Sequence, residues 1–267
     1  MLSMLFIHWN VNPNIPLPFD LFTVQWYGMM WSLSIIACFY YGRWILRKEH
    51  LDENHLILIV QYVFIGAIVG ARLGQVFFYQ WDFFSLHPLE ILKVWNGGLA
   101  SHGGVVGGLV GLFLFLRKYP QYHWVWLLDG TALVIFIPAA LIRLGNLFNS
   151  ELYGKITDVP WAFIFERVDA FPRHPVVLYE SICYSVLSVL ILMIYKRYGR
   201  QYPGLYISFF FAVLFSIRFL LEFFKEPEGE LWLGYISKTQ LLSVPFIVFG
   251  LIFFFRAILK PASTNKT

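Results

Sequence analysis

Between Arg143 and Gly154 the chain reads Arg-Leu-Gly-Asn-Leu-Phe-Asn-Ser-Glu-Leu-Tyr-Gly, directly after a long apolar stretch. Arg143 supplies a planar guanidinium, Asn146 and Asn149 supply carboxamides that donate and accept, and Glu151 supplies a carboxylate. A guanidinium fork matches the oxygens of a phosphate and does not lose its charge. Near a bilayer's hydrocarbon such a group costs roughly 2.5–3.5 kcal/mol on insertion scales, so it is paired, solvated in a cavity, or functional. The run reads as an assembled polar site.

The elements that must position it follow from composition. Of 267 residues, 58% are hydrophobic and 13% charged, against about 25% charged in soluble domains. The expected class is an all-α integral membrane protein, a bundle of about seven transmembrane helices with a small external cap. Windows long enough to span, about 17–25 residues, run over 23–46, 55–79, 97–116, 124–142, 176–195, 204–224 and 239–255. The organisation expected is a single membrane domain over 1–267, with an external N-terminal arm at 1–22 and a cap segment at 143–175.

Orientation follows from the basic residues between windows. Arg43, Arg47, Lys48, Arg117, Lys118, Lys196, Arg197, Arg200, Arg256, Lys260 and Lys266 fall on alternate connections, eleven in all, against six on the other set. The richer set is cytoplasmic by the positive-inside rule, which puts the N-terminus outside and the C-terminus inside. The net charge of +4 reflects that belt, and no basic face interleaved with aromatics points to nucleic acid. Residues 1–20 lack a basic n-region and do not read as a cleavable signal peptide. Cys38 and Cys183 lie in apolar spans without metal-ligand spacing and read as packing residues. No metal site or cofactor is expected.

With that topology, Arg72, His102, Arg143, Glu180, Arg218 and Glu222 share the outer layer of five helices, with Tyr27 at a similar depth on the first. One outward-facing polar cavity is the expected arrangement. Each member also has a plainer reading. Arg72 lies among Gly66, Gly70 and Gly74, whose spacing favours close helix packing; it either pairs with Glu180 or Glu151 or meets substrate. Arg218 and Glu222 stand at i, i+4 and can pair with each other. His102 sits in a stretch, 97–111, where seven of fifteen residues are glycine, and is either a satisfied core group or a base. Three arginines beside lipid suit an anionic phospholipid headgroup. Residue types alone reach a binding site and not a reaction, and a transporter or scramblase for an anionic lipid remains the alternative.

The segments Gln25–Gly28, Gly97–Gly104, Arg143–Gly154, His174–Glu180 and Arg218–Lys225 resemble, in order and across nearly the whole chain, the motifs of bacterial prolipoprotein diacylglyceryl transferase. That resemblance implies transfer of the diacylglyceryl group of phosphatidylglycerol to the lipobox cysteine of a prolipoprotein signal peptide. A thioether forms and glycerol phosphate leaves, in a multi-pass protein of the bacterial cytoplasmic (inner) membrane. It assigns catalytic roles to His102, Arg143, Arg218 and Tyr27, and phosphatidylglycerol binding to Arg143, Asn146, Asn149, Glu151, Gly154, Arg218 and Glu222; Arg72 joins the binding set from its place in the polar layer. His102 stands either as the base for the thiol or as a positioning group, with the arginine field acidifying the sulfur. Two departures from the family pattern, Lys225 for arginine and Thr239 for glycine, bear on peptide or headgroup preference.

Overall fold

The computed structural model describes residues 6–15, 23–93, 98, 100–226 and 236–259. Expectations that rest on Gly97, Lys260, Lys266 and most of the arm at 1–22 lie outside the described residues. Long helices carry the chain, because an apolar segment in hydrocarbon must satisfy every backbone N–H and C=O internally. They are α1 (Trp26–Lys48), α2 (Asn54–Phe78), α4 (Ser101–Lys118), α5 (Trp124–Phe148), α6 (Val176–Tyr198), α7 (Leu205–Leu221) and α8 (Lys238–Leu259), with a short α3 (Trp81–Leu86). A helix was expected in each of seven windows, and each window holds one. Five of them, α2, α5, α6, α7 and α8, are long and apolar enough to cross a membrane. α1 is diluted by Trp, Tyr and its basic end, and α4 by five glycines, His102, Arg117 and Lys118.

The chain divides into two compact units, one of residues 42–124 and one of 1–41 with 125–267. In the first, α2 and α4 meet along facing glycines. A Cβ on Gly70 would stand 2.3 Å from the Gly103 carbonyl oxygen, and one on Gly107 would stand 2.1 Å from that of Gly66. Only hydrogen at these positions lets the two backbones touch, which is the close packing that small residues permit between membrane helices.

In the second unit α5 runs further than its window, to Phe148 instead of Ile142. Arg143, Gly145 and Asn146 therefore belong to the helix and not to the cap segment. The end is a Schellman turn: Glu151 N–H donates to Asn146 O at 3.0 Å and Ser150 N–H to Leu147 O at 3.0 Å. Ser150 takes the left-handed position at φ 57° that glycine usually fills. At its other end α5 presents Asp129, 1% exposed, whose carboxylate accepts from Gly204 N at 2.7 Å and Ile207 N at 2.9 Å. The first turn of α7 is thus capped by a neighbouring helix.

The described residues of the N-terminal arm join two small sheets. Strand β1 (Ile7–Trp9) pairs in parallel with β4 (Phe163–Phe165), which pairs antiparallel with β5 (Pro172–Arg173). The two remaining strands, β2 (Asn14–Ile15) and β3 (Val24–Gln25), form a second ribbon that leads into α1. Trp9 Nε1 donates to Leu147 O at 3.0 Å, and its ring packs with Leu147, Phe163, Phe165 and Val177. Arm, cap segment and the end of α5 share one apolar core.

Candidate functional site

Arg143 leaves the last two turns of α5, and its Nε lies 2.6 Å from Glu180 Oε2 on α6. The two side chains are 17% and 12% exposed, so the pair is largely out of water. The Arg143 Nη1 donates to Asn146 Oδ1 at 3.3 Å, Asn146 Nδ2 to Glu151 Oε2 at 3.0 Å, and Asn149 Nδ2 to Glu151 Oε1 at 3.0 Å. The polar run is thus one connected chain. Its order is set by the helix end: Asn146 lies one turn after Arg143, and the Schellman turn swings Glu151 back over it.

Glu180 lies in the combined field of Arg143, Arg218, Lys225 and Glu222. Three cations, Arg143, Arg218 and Lys225, thus gather about one largely buried carboxylate, and guanidinium forks suit the oxygens of an incoming phosphate. Among the described residues the Arg218 guanidinium forms no ion pair, so the i, i+4 pairing with Glu222 open to it is not made. Tyr27 lies against α5, where a Cβ on Gly145 would stand 2.8 Å from its ring. Its neighbour Trp26 stacks on Phe148 with centroids 4.8 Å apart.

Gly154 explains its place in the run by packing. Its N–H donates to His174 O at 2.8 Å, the next N–H, of Lys155, donates to Phe224 O at 2.9 Å, and a Cβ at 154 would stand 2.6 Å from both carbonyl oxygens. Three segments cross there, after α5, before α6 and after α7. A side chain at 154 would push apart the segments that carry Arg143, Glu180 and Arg218.

Behind this junction Arg173 donates through Nη1 to Gly154 O at 3.1 Å and to Glu226 Oε2 at 3.0 Å, and through Nη2 to Asp169 Oδ2 at 2.7 Å. These hydrogen bonds from Arg173 hold the Asp169 carboxyl below the usual carboxylate range. A carboxyl whose folded pKa is depressed contributes stability that is complete above its unfolded pKa, about 3.9, and is lost as pH falls through the folded value. Backbone amide exchange over 154–173, divided by the intrinsic rate at each pH so that it reports opening alone, should therefore be flat from neutral pH down to about 4 and rise below it. Asp169→Asn should raise exchange already at neutral pH and remove that acid limb; an acid limb that persists in this variant would move the effect to another group.

The unit of residues 42–124 holds the other two expected site residues. His102 lies exposed in the first turn of α4, at the edge of an apolar groove of about 1030 Å³ that runs along α2 and α4 past Gly70, Gly103, Phe77 and Val106. Arg72 is 6% exposed. Within its own unit its guanidinium is taken up by the backbone carbonyls of Glu90, Ile91, Lys93 and Gly98.

Two participants escaped the sequence reading. Glu180 stands in the expected polar layer with several arginines open to it, and the one it meets is Arg143. Tyr184 lies four residues on, on the same face of α6, 2% exposed and beside Arg143 and Glu180. The i, i+4 spacing was the only signal for it. Arg173 stands four residues after its partner Asp169, but nothing local points to its other partners, in segments 19 and 53 residues away.

A profile described as prolipoprotein diacylglyceryl transferase matches residues 15–256 of the chain. A protein of Chloroherpeton thalassium called phosphatidylglycerol–prolipoprotein diacylglyceryl transferase is 41% identical over 269 residues, covering 98% of both chains. Proteins of the same name from Tolumonas auensis and Bacteroides fragilis are 39% and 36% identical, over 92% and 94% of this chain and 95% of each of theirs.

Proposed function

The chain belongs to the prolipoprotein diacylglyceryl transferase family and carries its phosphatidylglycerol–prolipoprotein diacylglyceryl transferase activity; on that premise we propose which residues do the chemistry. The acceptor thiol of a lipobox cysteine loses its proton to a base, and its sulfur forms a bond to the glyceryl carbon of phosphatidylglycerol. The carbon–oxygen bond to phosphate breaks, and glycerol phosphate leaves with the electron pair. Negative charge grows on the leaving oxygens and is best met by donors already in place.

Arg143 and Arg218 take that task, and the observation that carries the assignment is the gathering of both guanidinium groups about the largely buried Glu180. Without substrate, Glu180 and Asn146 hold the Arg143 guanidinium in position. Asn149 and Glu151 extend the same chain of hydrogen bonds toward the headgroup hydroxyls, and Glu222 faces the same field. Gly154 serves by letting the three segments cross, and Tyr27 by covering the α5 backbone at Gly145. His102 takes the thiol proton, an assignment supported by its place in the family motif, since it belongs to the other unit.

The arm at 1–22 and the cap at 143–175 face outward in this reading, and the basic belt faces the cytoplasm of a bacterial inner membrane. Purified protein given phosphatidylglycerol labelled in its acyl chains and a lipobox peptide should yield a thioether-linked lipopeptide and free glycerol phosphate in equal amounts. Label that reaches no peptide would end the assignment. In a background with Cys38 and Cys183 replaced by serine, a cysteine at Asp169 should react with an impermeant thiol reagent in intact cells and one at Arg197 should not. Equal reactivity at the two positions would reverse the orientation.

A further inference from the structure

We infer that Arg72 is a positioning residue for the transfer reaction, holding the backbone from which His102 is launched. The inference rests on the reading in which His102 serves the acceptor thiol. All three guanidinium nitrogens of Arg72 are spent on main-chain oxygens. Nε donates to Ile91 O at 2.8 Å, Nη1 to Gly98 O at 3.0 Å, and Nη2 to Glu90 O at 2.5 Å and Lys93 O at 3.2 Å. Phe84 closes the remaining side, its ring centre 4.9 Å from Cζ. A phosphate needs two parallel N–H groups free, and this arrangement has no such pair to offer.

The bound carbonyls all precede α4. Gly98 stands four residues before His102, at φ 70°, with its hypothetical Cβ only 3.2 Å from Arg72 Nη1. Ala100 N–H donates to Ala71 O at 3.0 Å, so two consecutive residues of α2 grip the approach to α4 on either side of residue 99. A third grip comes from the helix itself, where Gly103 presses on Gly74 with a hypothetical Cβ 3.0 Å from its Cα. The imidazole of His102 issues from the turn between these fixed points. A lysine at 72 carries one ammonium with three donors and cannot span carbonyls of residues 90, 91, 93 and 98 in one plane.

A shift of about 1 Å in a reacting group can cost about 10²-fold, so Arg72→Lys should lower kcat by about 10- to 100-fold while the KM for phosphatidylglycerol changes less than about twofold. The deciding measurement is a double-mutant cycle with His102→Gln. If Arg72 acts through His102, the loss caused by Arg72→Lys collapses to less than about twofold once His102 is gone, because coupled residues are not additive. Losses that multiply, or a raised KM with kcat unchanged, overturn the inference and return Arg72 to the headgroup, while the role of His102 stands. Full transfer by His102→Gln alone overturns the underlying reading and the inference with it. Should Arg72→Lys fail to insert, Gly98→Ala strains the same contact from the other side and should show the same collapse in the cycle; multiplying losses there overturn the inference equally.

Discussion

Arg143→Lys and Arg218→Lys should each slow transfer by about 30- to 1000-fold, roughly 2–4 kcal/mol of transition-state stabilisation, the scale of losing a donor aimed at developing charge. Insertion and folding should survive, because lysine keeps the charge. A lysine at 143 can still reach Glu180, which Arg143 meets through Nε at 2.6 Å, but it has no second nitrogen in the plane to donate to Asn146 Oδ1. The chain from Asn146 through Glu151 to Asn149 would then lose its anchor. Arg218 makes no ion pair of its own among the described residues, so its replacement removes a fork available to substrate and breaks no ion pair there. Arg117→Lys, exposed at the end of α4, is the matched control and should be silent. Near-normal rates for both site variants would make the two arginines topological charges and leave the departing phosphate without a partner.

His102→Gln should lower turnover by about 10² to 10⁴, the usual contribution of a positioned acid or base. Glutamine keeps a polar group of similar reach in the first turn of α4 but cannot take a proton. A modest loss would make His102 a positioning group and pass activation of the thiol to the arginine field, since a nearby positive charge favours the thiolate.

The residues themselves made the class of this protein legible. Long apolar windows can satisfy their backbone in hydrocarbon only as helices, so each of the seven windows holds one, and the Arg143–Gly154 run announced a polar site through the cost of placing such groups near lipid. What no local pattern carries is which partner a charge finds. Glu180 was within reach of several arginines on paper, and only the packing of α6 against α5 gives it to Arg143 and leaves Arg72 to the carbonyls before α4. The helix end at Phe148 was hidden for a similar reason. Polar Arg143 and Asn146 look like the start of a loop, yet Ser150 in the left-handed region continues the hydrogen bonding past them. The role of Gly154 was unreadable because the atoms that exclude a side chain there, at His174 and Phe224, lie 20 and 70 residues along the chain. Spacing along a chain reports on one helix face or one turn, whereas these contacts depend on which helices meet and at what height, and only the folded protein decides that.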